Sequence, residues 1–225
     1  MTRLIKACLA ASLALLGSAA LADDRGAFER AIKQDNESAV RSLLARGFDP
    51  NTRNDKGSPG LYVALQEGSL KVARMLIDSP RLKPEDRNAT DESPLMMAAL
   101  KGELDLAKRL IAKGADVNKP GWAPLHYAAT GGHLDLIRLL LEEHAFIDAQ
   151  SPNGTTPLMM AASYGTPEAV KLLIEEGADI AMRNQQRMTA MDFARRAERR
   201  DAVDLLTQAE RYKAQSRPQA PRGTW

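Results

Sequence analysis

Ser93-Pro94-Leu95-Met96-Met97-Ala98-Ala99, Ala123-Pro124-Leu125-His126-Tyr127-Ala128-Ala129 and Thr156-Pro157-Leu158-Met159-Met160-Ala161-Ala162 are three copies of one heptapeptide pattern. Degenerate copies stand at Pro59-Gly60-Leu61-Tyr62-Val63-Ala64-Leu65 and Thr189-Ala190-Met191-Asp192-Phe193-Ala194. The slot that proline fills falls at 60, 94, 124, 157 and 190, so the steps are 34, 30, 33 and 33 residues. Projecting one step back puts a first copy at Ala27-Phe28, with Ala31 in the alanine slot. A fixed period of this length marks an array of small supersecondary units, each unable to bury its apolar face alone.

Two further motifs keep the same phase. Leu43-Leu44, Leu76-Ile77, Leu110-Ile111, Leu140-Leu141 and Leu173-Ile174 are branched apolar pairs, and Val40, Ala73, Ala107, Ile137 and Val170 precede them by three residues. That spacing is one buried stripe of a helix. Gly47-Phe48-Asp49, Gly114-Ala115-Asp116 and Gly177-Ala178-Asp179 then close their repeats, glycine supplying the left-handed residue that stops a helix. Proline opens the preceding helix where its missing N–H is not needed. Ser93 or Thr156 before it is a good cap, and paired alanines let two helix layers approach closely.

These residues resemble the ankyrin repeat, whose pattern is Thr-Pro-Leu-His-x-Ala-Ala, a glycine, a leucine pair and Gly-Ala-Asp. The resemblance covers about residues 25–207, and only His126 keeps the family histidine. It implies an all-α solenoid of about six helix-turn-helix repeats joined by β-hairpin loops, at about 25–54, 55–88, 89–119, 120–152, 153–184 and 185–210. The first and last repeats read as caps with a polar outer face. His144 takes the glycine slot of the fourth repeat, and the hairpin ending in Trp122 is shorter than its equivalents by about three residues.

The first 22 residues read differently: Arg3 and Lys6, an apolar run from Ala7 to Leu16, then Ala20-Leu21-Ala22. This is the plan of a secretory signal peptide, so the mature chain is expected to start at Asp23 and to lie in the periplasm, with secretion as the alternative. Of 31 basic residues Arg3 and Lys6 would be removed, leaving 29 against 29 acidic, and Cys8, the one cysteine, would go too. A thiol-free chain suits an oxidising compartment. Residues 211–225 lack the period and are expected to form a disordered basic tail.

Catalysis needs a convergent nucleophile, base and orienter. The mature chain has no cysteine, and its histidines at 126, 133 and 144 occupy different corners of one repeat. No nucleophile elbow, phosphate loop or metalloprotease motif occurs, so no enzyme activity, cofactor or metal is expected. The methionines, including the equivalent pairs Met96-Met97 and Met159-Met160, read as core filling. Their thioethers leave a metal- or oxidation-responsive accessory factor as the alternative.

What remains is a protein-interaction scaffold, expected to be a monomer. Its partner is a protein, such as an envelope enzyme that it protects, inhibits or matures. Nucleic acid is excluded for a neutral exported chain, and membrane contact through the basic tail is not favoured. The resemblance implies binding through hairpin tips and the exposed inner side of the first helices. By position these are Arg53, Asp55, Asp91, Glu92, Trp122, Asn153 and Arg187 on the tips, and Gln66, Glu67, Leu100, Lys101 and Tyr164 on the helices. Trp122 and Tyr164 are the expected anchors, since such side chains dominate interface hot spots; Trp122 could equally plug the gap left by the short hairpin.

Overall fold

The computed structural model describes residues 24–215, all of whose regular structure is helical. The expected signal peptide and residues 216–225 lie outside the described residues. The chain divides into two compact units, one ending at Pro94 and one starting at Leu95.

The N-terminal unit holds α1 (24–33), α2 (Glu37–Ala45), α3 (Gly60–Glu67) and α4 (Leu70–Asp78). Its core is built from Phe28, Ile32, Val40, Leu43, Leu61, Leu65, Val72 and Leu76, each at most 2% exposed. Gly60 stands where the three central repeats have proline because Phe28 fills the space: a Cβ at Gly60 would lie 2.5 Å from the Phe28 ring. The Phe28 ring in turn packs on Phe48, centroids 5.0 Å apart. The degenerate first repeats are therefore closed by aromatic packing rather than by the repeated motif.

In the C-terminal unit α5 (Pro94–Lys101, starting at the last residue of the other unit), α7 (Pro124–Gly131), α9 (Pro157–Tyr164) and α11 (Ala190–Arg196) are the short first helices. They alternate with α6 (Leu104–Ala112), α8 (Leu134–Glu142), α10 (Pro167–Glu175) and α12 (Arg200–Gln215). Helices α7, α9 and α11 pack in sequence as an inner row, and α6, α8, α10 and α12 as an outer row. The alanine pairs 98–99, 128–129 and 161–162 are fully buried, as close approach of the rows requires. Thr156 caps α9 and Thr166 caps α10 through their hydroxyls, and Thr189 and Asp192 cap each other reciprocally at the start of α11. That last arrangement satisfies two orphan donors at once.

Three expectations change in detail. Four of the five branched pairs do not bury as pairs: Leu43, Leu110, Leu140 and Leu173 are buried, whereas Leu44, Ile111, Leu141 and Ile174 are half-exposed; Leu76-Ile77 alone buries both side chains. Successive positions on a helix point about 100° apart, so a narrow stripe takes the first and leaves the second at its edge, while the wider buried stripe of α4, Val72, Ala73, Leu76 and Ile77, takes both. Helix α12 also runs to Gln215, past the expected end of the last repeat at 210, and Lys213 holds it to Asp179 at 3.0 Å. The connecting loops, finally, carry a single isolated bridge among the described residues, between Arg53 and Pro59, instead of hairpin strands. Each full-length tip closes on itself through two backbone bonds, such as Asn54 N–H to Ser58 O with Gly57 N–H to Asn54 O, or Asn184 N–H to Met188 O with Arg187 N–H to Asn184 O, too tight a turn for a ladder.

Candidate protein-binding face

The tips are built alike. Gly57, Asp91, Gly121, Gly154 and Arg187, each three residues before the proline slot, have φ between 62° and 82°. An L-residue in this region crowds its own carbonyl, and glycine avoids the cost. Two of the expected site residues, Asp91 and Arg187, therefore take a conformation that the fold elsewhere assigns to glycine. His144 at φ 64° does the same at a helix end, as its position in the glycine slot implied.

The short tip before the fourth repeat is closed by side chains. The Lys119 ammonium donates to Pro120 O at 3.0 Å and Trp122 O at 3.5 Å. Trp122 is half-buried and stands edge-on to His126, with centroids 5.2 Å apart. His126 is fully buried; its Nδ1 accepts from Ala123 N–H at 3.1 Å, and its Nε2 then donates to Thr155 O at 3.0 Å. Burial holds this imidazole below its ordinary pKa, against the pull of those bonds. Trp122 thus packs on the group that joins two repeats, a contact suited to filling the shortened tip.

In the N-terminal unit the tip and the first helix share one face. Arg53, Asp55, Gln66, Glu67 and Glu92 line a single cleft of about 500 Å³ with Phe28, Tyr62 and Val63. Most of its charges are already engaged. Arg53 pairs with Asp86 and donates to Gly57 O and Arg87 O. Asp55 pairs with Arg25 at 2.5 Å, and Glu92 accepts from Tyr62 Oη–H at 2.6 Å and Asn88 Nδ2–H at 2.8 Å. Burial, then this carboxylate, push the Tyr62 phenol well above its usual range. Asp91 accepts from Arg87. Gln66 and Glu67 are exposed.

The C-terminal unit places Leu100, half-buried, and Lys101 and Tyr164, both exposed, on its inner helices. Tyr164 is 65% exposed. Arg187 is exposed on the last tip, while Asn153 is engaged by Ser151 and Thr155 N–H.

A family model for ankyrin repeats matches residues 28–120, 81–151 and 125–216. The chain belongs to the ankyrin-repeat family. It is similar over 81% of its length to the human ASB11 ankyrin repeat domain, at 26% identity and a TM-score of 0.72 over 82% of that chain. It is similar, at 28% identity and a TM-score of 0.69, to a chain in the complex of the Bd0816 predatory endopeptidase of Bdellovibrio bacteriovorus with immunity protein Bd3460, covering 97% of that chain. Among curated sequences, 84 residues are 34% identical to alpha-latrocrustotoxin-Lt1a of Latrodectus tredecimguttatus, which is 37% of this chain but 6% of the toxin. Against such relatives the chain spans a small part of their length. Ankyrin repeats and this fold are typically non-catalytic scaffolds that bind proteins.

The ankyrin register also shows which residues the sequence reading put in the wrong place. Met97 and Met160, expected as core filling, share a slot with Val63, Tyr127 and Phe193, and of the five only Met97 is buried, at 6% exposed, while the other four are half-exposed. This slot lies three and four residues before Gln66 and Glu67, Thr130, and Ser163 and Tyr164, so helical geometry puts it on their face. That spacing was the available signal. Met96 and Met159 instead fill the slot of His126 and are fully buried, and the Met159 sulfur accepts from Thr156 N–H at 3.4 Å.

Proposed function

We propose that this ankyrin-repeat chain is an exported, non-catalytic binding module that holds a protein partner, an enzyme of the bacterial envelope, on its inner face. One observation carries the reading: Tyr164 stands 65% exposed on that face, in a slot that needs no aromatic side chain for packing. A large ring in water on that face offers apolar area for a partner to bury, and tyrosine loses little entropy on burial. The likeness to a chain of an endopeptidase–immunity protein complex supports an enzyme as partner, with masking of its active site as the purpose. Residues 1–22 support export.

The test is fractionation of the producing cells with N-terminal sequencing, followed by amine-reactive crosslinking in intact cells and mass spectrometry. A mature form starting at Asp23, crosslinked to one envelope hydrolase, is expected. An intact Met1 form in the cytoplasm would overturn export. A partner with no enzymatic domain would overturn the masking role.

A further inference from the structure

The inner face of the C-terminal unit has a charge pattern that its outer face lacks. The carboxylates of this unit's described residues lie on α6, α8, α10 and α12 or on the turns that flank them, with one exception. The exception, Asp192, is occupied: it accepts from Thr189 N–H at 2.8 Å and from the Thr189 hydroxyl at 2.9 Å. The exposed cations on the same tips and inner helices include Lys101, Arg187 and Arg196. None of the three has an ion-pair partner among the described residues. Between them run the half-exposed side chains of Leu100, Tyr127, Met160 and Phe193, with Tyr164 standing clear.

Arg187 adds a second observation. Its φ of 62° is a left-handed conformation, and the equivalent positions in the same unit are Gly121 and Gly154. The fold alone is better served by glycine there. Retention of strain at a surface tip points to a role for the side chain outside folding. The tip itself is closed by a different residue, since Arg183 donates to Arg187 O at 2.7 Å, so the Arg187 guanidinium is surplus to it.

We infer that this face takes an acidic segment of the partner, with carboxylates at Lys101, Arg187 and Arg196 and an apolar side chain against Tyr164. The inference rests on the proposed function and names the chemistry of its partner. Neighbouring helices in such a row lie about 8–10 Å apart. The distance from α5 to α11 is then about 30 Å, which an extended stretch of roughly nine residues spans at ~3.3 Å each. Guanidinium groups fix carboxylates by paired hydrogen bonds, and a cationic face whose one carboxylate is already engaged concentrates an acidic ligand. The apolar column favours a peptide over a nucleic acid, because aliphatic side chains would fill it.

A displayed library of random twelve-residue peptides, selected on the full mature chain, is the test. The enriched peptides are expected to carry net negative charge with a leucine or aromatic residue between the acids. Their binding is expected to fall at least tenfold with Arg187→Gly and with Tyr164→Ala, and to weaken as salt rises. Arg187→Gly relaxes the backbone, so its melting temperature is expected to hold or rise while binding drops, separating binding from folding. Neutral or basic peptides that still need Tyr164 would overturn the acidic ligand and leave the binding face standing. Peptides indifferent to Tyr164→Ala would overturn the binding face itself. A twelve-nucleotide single strand that competes better than every peptide would overturn the peptide reading.

Discussion

The tip at residues 53–59 and the tip at residues 183–189 solve one problem with the same arginine and then diverge. Arg53 donates to Gly57 O, and Arg183, in the same slot, donates to Arg187 O. In the N-terminal unit the left-handed position is Gly57, and the charges around it are tied up by Asp86, Arg25 and Tyr62. In the C-terminal unit the same position is Arg187, and its side chain has no such partner among the described residues. A charge at a hairpin tip is therefore not by itself a binding feature. Where a tip charge closes its own loop or pairs with a neighbour, as Arg53 and Arg183 do, it serves the fold; among the described residues the Arg187 side chain does neither.

The largest expected effect tests the frame on which both tips stand. Leu140 is fully buried in the outer row, and Leu140→Ala is expected to cost about 2–5 kcal/mol in chemical denaturation, as large-to-small core changes do. A loss under half a kcal/mol would mean the outer row does not support the inner one. Next comes the arginine comparison. Arg53→Ala removes charge-assisted bonds to Asp86 and two carbonyls and is expected to cost about 1–3 kcal/mol. Arg187→Ala should cost far less, and equal losses would erase the contrast.

A smaller effect of opposite sign follows. Arg187→Gly relieves a left-handed L-residue and is expected to gain about 1 kcal/mol, read as a higher denaturation midpoint. A fall in midpoint would show that the Arg187 side chain holds the tip. The smallest is a pH effect. The Asp192 carboxyl is held below the usual carboxylate range by its bonds to Thr189, with Arg183 and Arg195 adding to them. A depressed folded-state pKa contributes stability that is present above the unfolded value, near 4, and is lost as pH falls through the lowered one. Acid unfolding of wild type is thus expected to be slightly steeper below about pH 4 than that of Asp192→Asn. Identical acid profiles would mean that the capping pair adds nothing measurable.

Much of the fold was legible because burial is written locally. The proline slot, the alanine pair and the first leucine of each pair are fixed by helix period and by how closely two helices approach, and they fall where the pattern put them. Gly60 was read as a worn proline slot, since its reason is a ring 32 residues earlier in the chain. The candidate face was legible as a set of slots and not as a set of functions. Arg53, Asp55 and Glu92 are engaged by Asp86, Arg25 and Tyr62. Those partners come from neighbouring repeats, and no spacing within a repeat announces them. Met160 reads as core because apolar residues at helical spacing usually are, whereas with Tyr127 and Phe193 in the same slot that spacing carries the stripe around to the inner side.

The contrast between an exposed side chain that binds and one that is merely exposed is most directly measured with a photocrosslinking amino acid. Tyr164 on the inner face and Tyr212 on α12 are comparably open, at 65% and 73%. Each would be replaced in turn by a benzophenone-bearing phenylalanine in the producing cell, and adducts read after irradiation. A single discrete adduct from position 164 and none from position 212 is expected. Adducts from 212 alone, or none from 164 in a folded, correctly localised protein, would contradict a binding face on the inner helices.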